Sequence, residues 1–242
     1  MNVLMSRRQC KRRERMRNFI TRRELQLPKD IECFRLEPFI DLSTYRIIGY
    51  EVLSKLSGGL NAERWFSEIS GRQQIDILHH QLYNISSKIN TSCFYNLTIE
   101  GFINLEYSDI EYIASFPNVS IEISNASQIY FLGEKVSSLL FKKIEALRSL
   151  NIKIWVDDCL FEDIMFFKAY RDKIDGIKID KHEAQSVHLL NMINLLKNSF
   201  GNLPILIEGV ESENILNLVL TSGANLAQGY YWNHHNLIVK LT

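Results

Sequence analysis

The chain has 242 residues, of which 46% are hydrophobic and 23% are charged, and its 28 basic and 28 acidic side chains cancel. These values are ordinary for a soluble globular protein. No run of about 18 apolar residues occurs and no apolar stretch follows the basic N terminus, so we expect neither a transmembrane segment nor a secretory signal.

Positive charge is concentrated at the N terminus. Residues 1–23 contain nine of the 28 basic residues and one acid, which leaves 19 basic against 27 acidic residues in the rest of the chain. We interpret residues 1–30 as a basic arm. Such an arm either contacts an anionic partner, such as nucleic acid or a membrane surface, or is a solvated extension that aids solubility.

Beyond the arm, short apolar runs alternate with longer amphipathic runs. The apolar runs predict eight strands, at residues 33–42, 46–53, 93–98, 119–124, 152–158, 176–180, 204–210 and 227–232. The amphipathic runs predict helices at residues 61–70, 72–89, 133–150, 183–200 and 211–223. This alternation implies parallel pairing with right-handed crossovers, which an open doubly wound sheet and a closed barrel both satisfy. Eight strands in little more than 200 residues favour a (β/α)8 barrel, and we interpret residues 31–242 as one α/β domain.

Polar side chains stand at or near the carboxyl ends of the predicted strands. They are Glu51, Asn96, Glu122, Asp157, Asp158, Lys178, Glu208 and Gln228. In a parallel barrel these ends share one rim, where active sites are built. Each residue alone has a structural explanation, such as capping or exposure, but five carboxylates on one rim repel one another unless cations lie between them. Ligands that are all oxygen select Mg²⁺ or Mn²⁺, and two such ions form the clamp used for attack of water on phosphate esters.

Side chains of other chemistries do not cluster in the sequence. The cysteines are scattered, which predicts reduced thiols in a cytoplasmic protein; they are Cys10, Cys33, Cys93 and Cys159. The six histidines lack the spacing of metal ligands. No glycine-rich phosphate loop or nucleophile elbow occurs, which disfavours a covalent enzyme intermediate.

The order of the strand-end motifs resembles the EAL-domain family of cyclic di-GMP phosphodiesterases. Glu51-Val52-Leu53 stands where the family has the Glu-Ala-Leu that names it, and FYNLT, IEIS, VDD, IKID, IEGVE and QGYYW follow in the family's order. The resemblance covers residues 34–232 and implies a modified (β/α)8 TIM-like barrel that hydrolyses cyclic di-GMP to linear pGpG with two Mg²⁺ or Mn²⁺ ions. It also implies a bacterial, cytoplasmic protein of second-messenger signalling, with cyclic di-GMP and a second copy of the chain as partners.

The resemblance implies a role for each polar residue by motif match. The implied metal ligands are Glu51, Asn96, Glu122, Asp157, Asp158 and Glu208, with Asp157 as the bridge. The implied catalytic residues are Lys178, Glu208 and Glu51, with Lys178 orienting or helping to activate the attacking water. Lys55 and Gln228 are implied to bind substrate, and Glu211 to support the site.

The chain departs from the family pattern at three points. The family continues its paired aspartates as Phe-Gly-Thr-Gly-Tyr-Ser-Ser, whereas Cys159–Met165 contains no glycine. Asn125 stands where the family has an acid. Lys55 stands where the family has an arginine, so the positive charge is kept but the bidentate fork is lost. The apolar residues after Asp158 predict the start of a core-facing helix, and the alternative is a partner or dimer contact.

Three hypotheses for the function follow. The first is a phosphodiesterase with reduced activity. The second is a catalytically weak or inactive EAL regulator that binds cyclic di-GMP or a protein partner. The third is a nucleic-acid-associated protein that uses the basic arm. It is ranked last because the arm has no helix-turn-helix pattern.

Overall fold

The structure, a computed structural model, describes residues 27–86 and 88–241. Within these residues, nine strands are present: β1 (Ile31–Asp41), β2 (Ile47–Leu56), β3 (Ser92–Leu97), β4 (Val119–Ile123), β5 (Lys153–Cys159), β6 (Gly176–Ile179), β7 (Ile205–Ile207), β8 (Leu226–Ala227) and β9 (Leu237–Lys240). The helices of the described residues are α1 (Ala62–Glu68), α2 (Gly71–Ile85), α3 (Ile99–Asn104), α4 (Tyr107–Ala114), α5 (Glu134–Ser149), α6 (Ile164–Phe167), α7 (Leu189–Phe200) and α8 (Glu213–Ser222).

The strands close into a barrel, which confirms the predicted (β/α)8 architecture. Strands β2 to β8 pair in parallel in sequential order, and β1 closes the ring by pairing with both β2 and β8. Both of these pairings are antiparallel, so the prediction of parallel strands is wrong for β1. The physical reason is the short turn at residues 42–46, because parallel neighbours need a crossover of a dozen residues or more.

The largest differences from the predicted elements lie where the elements are short. The described chain adds α3 and α4 between β3 and β4, and β9 pairs antiparallel with β1. Of the strand predicted at 227–232, only Ala227 lies in a strand, and residues 230–232 begin a 3-10 helix, Tyr230–His235, although their aromatic side chains favour strands. The helix predicted at 183–200 begins only at Leu189.

The structure describes little of the predicted basic arm. Residues 1–26, and therefore most of the predicted basic arm, lie outside the described part, so the boundary between residues 1–30 and 31–242 stays a prediction. Within the described chain, no helix combines the length and the apolar character that crossing a membrane requires.

Apolar side chains fill the lower half of the barrel interior and form its floor. Phe39, Phe94, Trp155, Leu206 and Leu226 form a buried cluster of their own, separate from the core between strands and helices. The ring of Phe94 lies 4.5 Å from that of Phe39 and packs edge-on against Trp155 at 5.3 Å between ring centroids. This layer closes the barrel below the functional site, as filled side-chain layers do in TIM barrels.

Substitution of Gly176 by Ala is expected to destabilise the floor. A Cβ at Gly176 would lie 2.3 Å from the ring of Trp155, so the buried indole would have to move. Overpacking of this kind costs about 1–3 kcal/mol, and we expect a loss near the upper end, measured by urea unfolding. Gly133→Ala is the matched control, because no atom lies within 4 Å of a Cβ there and only an N-cap preference below about 1 kcal/mol changes. Equal losses for the two variants would contradict the packing of the floor.

Candidate functional site

A layer of polar side chains lies directly above the apolar floor. Asn96, Asp157, Glu208 and Gln228 each follow a floor residue of the same strand by two positions, so they share its inward face. Glu37 instead precedes its floor residue by two positions, because β1 runs in the opposite direction. The carboxyl ends of β2 to β8 and the first half of β1 therefore meet at one mouth of the barrel.

Lys178 lies at the centre of this layer. Its side chain is fully buried, and its Nζ is 2.7 Å from Glu208 Oε1, 3.0 Å from Asp157 Oδ1, 3.1 Å from Glu122 Oε2 and 3.4 Å from Glu51 Oε2. Burial alone would lower the pKa of Lys178, but these four carboxylates raise it well above its ordinary value. Lys178 is therefore a permanent ammonium that donates to its neighbours.

The carboxylates outnumber this single ammonium, and their pKa values are raised accordingly. Burial and then the neighbouring acids raise the pKa of Glu122 well above its ordinary value, against the effect of Lys178. Burial, with the charge of Asp157 next among the raising effects, brings the pKa of Glu208 to about 8. Partial desolvation at the mouth and the charge of Asp157 raise the pKa of Asp158 to about 7. Without a further cation, some of these groups hold protons near neutral pH.

Glu51 behaves differently from the other acids because three groups stabilise its charge. Although burial opposes the effect, Lys178 and the amides of Gln228 and Asn96 lower the pKa of Glu51. Nδ2 of Asn96 donates to Glu51 Oε1 at 2.6 Å, and Nε2 of Gln228 donates to Glu51 Oε2 at 2.7 Å. Glu51 is therefore the firmly ionised carboxylate of the layer.

Three buried oxygen atoms of the layer have no hydrogen-bond partner within the described chain. They are Oδ1 of Asn96, Oε1 of Glu122 and Oε1 of Gln228. Buried acceptors without a donor are costly and are normally satisfied by a water or an ion. Oxygen atoms are also the ligands that Mg²⁺ and Mn²⁺ prefer, so the unpaired acceptors fit a hard divalent cation.

The carboxylates form two groups of possible ligand atoms that share one residue. Oxygen atoms of Glu51, Glu122 and Asp157 lie within 4.8 Å of one another, and so do those of Asp157, Asp158 and Glu208. Asp157 belongs to both groups, as a residue that bridges two cations must. The donor set contains oxygen alone, which suits hard ions.

Asp157 and Asp158 reach the same site because the pairing of β5 with β6 is irregular at these two residues. Successive residues of a regular strand point to opposite faces. Here the pairing of β5 with β6 shifts register between Val156 and Cys159, and Asp158 adopts a left-handed φ of 54°. Such a bulge bends the strand and re-aims a side chain. The backbone N–H of Asp158 also donates to Asp157 Oδ1 at 3.0 Å.

Lys55, which is predicted to bind substrate, and Glu211, which is predicted to support the site, lie outside this layer. Nζ of Lys55 pairs with Glu32 Oε2 at 3.2 Å, and both side chains are about half exposed. Glu211 is exposed in the segment that joins β7 to α8. The structure does not bring Lys55 or Glu211 into contact with the carboxylates, and their roles stay predictions.

Two charged residues of β1 that the sequence analysis does not select lie at the mouth. Nη2 of Arg35 is 2.6 Å from Glu37 Oε1, and Glu37 Oε2 accepts a hydrogen bond from Nε2 of Gln228 at 3.3 Å. Their spacing of two within the strand is the signal that places both on one face. Both residues precede the carboxyl end of β1, whereas the active rim of a parallel barrel is expected at the carboxyl ends of its strands.

A cavity of about 330 Å³ opens from the polar layer and continues beneath α1 and α2. Its polar end is lined by Arg35, Glu51, Asn96, Asp157 and Asp158. Its other end is more apolar and includes Phe66 and Ile77. The cavity thus joins the carboxylates to a partly apolar space whose volume is that of a small-molecule site.

The segment after Asp158 packs against the core. A 3-10 turn, Phe161–Asp163, leads into α6, in which Ile164 and Phe167 are buried, and this confirms the predicted core-facing helix. Oδ1 of Asn125 accepts from the backbone N–H of Ile99 at 2.8 Å, so Asn125 stabilises the start of α3.

Comparisons with known proteins give the following likenesses. The profile of the EAL domain family matches residues 26–234. Over 127 residues the chain is 27% identical to the cyclic di-GMP phosphodiesterase TpdA of Vibrio parahaemolyticus. The matched region covers 48% of this chain and 21% of TpdA. The chain thus spans about a fifth of the length of this curated relative.

Solved structures share the fold at low identity. BlrP1 of Klebsiella pneumoniae, in a complex with manganese and cyclic di-GMP, is 18% identical with a TM-score of 0.66 over 84% of this chain and 56% of that chain. The FimX EAL domain of Pseudomonas aeruginosa, bound to cyclic di-GMP, is 18% identical with a TM-score of 0.66 over 88% of this chain and 93% of that chain. These likenesses support the barrel architecture.

Proposed function

Because the chain belongs to the EAL domain family, we propose that it is a metal-dependent phosphodiesterase that hydrolyses cyclic di-GMP to linear pGpG. The observation that carries this proposal is the pair of carboxylate groups that share Asp157 around the buried ammonium of Lys178. As part of the same proposal, the protein lowers the concentration of this second messenger in a bacterial cytoplasm.

We propose that the residues of the polar layer hold two Mg²⁺ or Mn²⁺ ions. Their ligands are the six residues assigned from the sequence: Glu51, Asn96, Glu122, Asp157, Asp158 and Glu208. When bound, such ions polarise the phosphodiester and lower the pKa of an attacking water. The unpaired oxygen atoms of Asn96 and Glu122 support this assignment, because a cation would satisfy both.

The protein's own side chains divide the remaining work. Lys178 is an ammonium and therefore cannot accept a proton, so its role is to hold the carboxylates in place and to orient the nucleophile. Glu208 lies 2.7 Å from Lys178 Nζ, so as a ligand it would hold its cation beside the ammonium; its raised pKa of about 8, which burial causes, belongs to the site without cations. Gln228 fixes Glu51 through its amide and lies beside Glu37, which supports a positioning role at the substrate side of the layer.

The second candidate function is that of a catalytically weak or inactive regulator that binds cyclic di-GMP or a protein partner. The observation that favours it is the packing of the segment after Asp158, where Ile164 and Phe167 are buried in place of a glycine-rich loop. A segment anchored in this way is poorly suited to close over a substrate. Homodimer formation and contact of residues 1–30 with an anionic partner stay predictions.

Substitution of Glu51 by Ala tests the proposed function. We expect the wild type to convert cyclic di-GMP to pGpG with Mg²⁺ or Mn²⁺, and Glu51→Ala to lower the rate by more than about 100-fold, since a metal ligand is lost. Product is measured by chromatography. Glu111→Gln, an exposed acid on α4, is the control and should keep the wild-type rate.

The outcomes of this experiment separate the candidates. Binding of cyclic di-GMP by the wild type without product would favour the regulator. Neither binding nor product would contradict both. Equal turnover by the wild type and Glu51→Ala would show that the carboxylate layer is not the catalytic site.

A further inference from the structure

Among the described residues that line the cavity, Arg35 supplies the positive charge that is open to a ligand. Arg35 shares this lining with Glu51, Asp157 and Asp158. Lys178 is fully buried, and its Nζ is already surrounded by four carboxylates. An anionic ligand that enters so acidic a mouth needs an opposite charge at the entrance.

The register of β1 places Arg35 between the carboxylate layer and solvent. Glu37 lies opposite Glu51, and Arg35 lies opposite Leu53, two residues further toward the mouth. Two residues of a strand span roughly 7 Å. A ligand with two phosphates would therefore reach the carboxylate layer with one of them and the guanidinium with the other.

The guanidinium of Arg35 has donors to spare for such a ligand. Its ion pair with Glu37 uses Nη2, whereas a guanidinium carries five N–H donors. The side chain is 47% exposed, so the remaining donors are accessible. Arginine binds phosphate through two parallel hydrogen bonds, which a lysine cannot provide.

Lys55 does not supply this contact in the structure. It is absent from the described cavity lining, and its Nζ pairs with Glu32 at 3.2 Å. Lys55 follows Glu51 by four residues on β2, near the strand's end, whereas Arg35 reaches the mouth from the neighbouring strand β1. The cationic role assigned to position 55 is thus available to Arg35.

We propose that Arg35 binds a phosphate group of the cyclic dinucleotide at the mouth of the barrel. This role rests on the proposed function and names the residue that recognises the part of the substrate remote from the carboxylates. Glu37 holds the guanidinium in the free protein through the 2.6 Å ion pair and so pre-positions it.

The test is the affinity for cyclic di-GMP, measured by calorimetry in Ca²⁺ buffer, where looser coordination disfavours hydrolysis. We expect Arg35→Ala to raise Kd about 10- to 100-fold and Arg35→Lys to raise it less, since only the fork is lost. Arg46→Ala is the matched control, because Arg46 is exposed in the turn at the opposite end of the barrel and should leave Kd within about twofold. The difference between wild type and Arg35→Ala should shrink at high salt, because a contact between charges is screened.

Each outcome supports or overturns the role of Arg35. An unchanged Kd in Arg35→Ala, with binding by the wild type, overturns it and leaves the proposed function standing. A raised Kd in Lys55→Ala alone returns the phosphate contact to Lys55. A salt-independent loss in Arg35→Ala overturns a phosphate contact in favour of the base. No binding by the wild type, with no pGpG formed in Mn²⁺, overturns the proposed function and the role of Arg35 together. Thermal unfolding checks that Arg35→Lys, which keeps the charge beside Glu37, is folded.

Discussion

Substitution of Lys178 by Met is expected to destabilise the metal-free protein by about 3–5 kcal/mol and to abolish turnover, since it removes one partner of a buried ionic cluster. Met keeps the length of the side chain but not its charge, so Glu208, Asp157 and Glu122 lose the ammonium that lies within 3.1 Å of each. The carboxylates then repel one another in a dry environment. Urea unfolding in a chelator measures the loss of stability.

The loss should depend on pH in a definite direction. Burial already raises the pKa of Glu208 to about 8, and removal of Lys178 raises it further. A carboxyl group whose pKa is higher in the folded than in the unfolded state binds more protons when folded, so its contribution falls as pH rises. The variant should therefore be closer to the wild type near pH 5 than near pH 9.

Two further measurements complete this prediction. Mg²⁺ or Mn²⁺ should restore part of the lost stability of Lys178→Met, because the cations replace the missing positive charge. Lys173→Met is the control: its Nζ pairs with Glu145 at the surface and lies over the ring of Phe141, so we expect a loss of at most about 1–2 kcal/mol. A Lys178→Met variant as stable as the wild type at pH 9 in a chelator would contradict the central role of the ammonium.

Much of the polar layer was predictable because strands repeat with a period of two. In Trp155-Val156-Asp157 the floor residue and the carboxylate lie on one face, and Phe94 and Asn96 repeat the arrangement on β3. An acid at the end of an apolar strand indicates a site, because burial of an unpaired charge is costly and needs a compensating partner. The family motifs supplied the order in which these strands occur.

The direction of β1 and the position of Lys55 were not predictable in the same way. Arg35 and Glu37 stand near the start of β1, and only the antiparallel pairing with β2 brings that end to the mouth. Lys55 has the positive charge that the motif position requires, but its side chain forms an ion pair with Glu32 on the neighbouring strand. Where a long, half-exposed side chain points depends on neighbours in space, which spacing in the sequence does not record.

The position of Asp158 also depends on a local irregularity. A regular strand would point Asp157 and Asp158 to opposite faces, and the sequence offers no glycine that would indicate a bulge between them. The left-handed φ of 54° at Asp158 carries a small conformational cost that aspartate tolerates better than most residues. Costs of this kind are often retained at functional sites.

Asp157 is the residue on which the two-ion arrangement depends, because it alone belongs to both carboxylate groups within the described chain. Loss of Asp158 or Glu122 would leave the other group complete, whereas loss of Asp157 breaks both. Asn is the suitable replacement, since it keeps the size of the side chain and removes one negative charge from a layer that has an excess of them.

Asp157→Asn is accordingly expected to lower turnover by more than about 1,000-fold and to abolish the thermal stabilisation by Mn²⁺, while leaving the metal-free protein folded. Asp158→Asn, which touches one group only, should retain part of the Mn²⁺ effect and is the matched comparison. Thermal unfolding with and without Mn²⁺ and a count of bound ions measure the difference. If Asp157→Asn still binds two ions, the bridge lies elsewhere; if it binds one with full affinity, the two groups do not share a ligand. A loss of both ions, with Asp158→Asn losing one, is the result that a shared carboxylate requires.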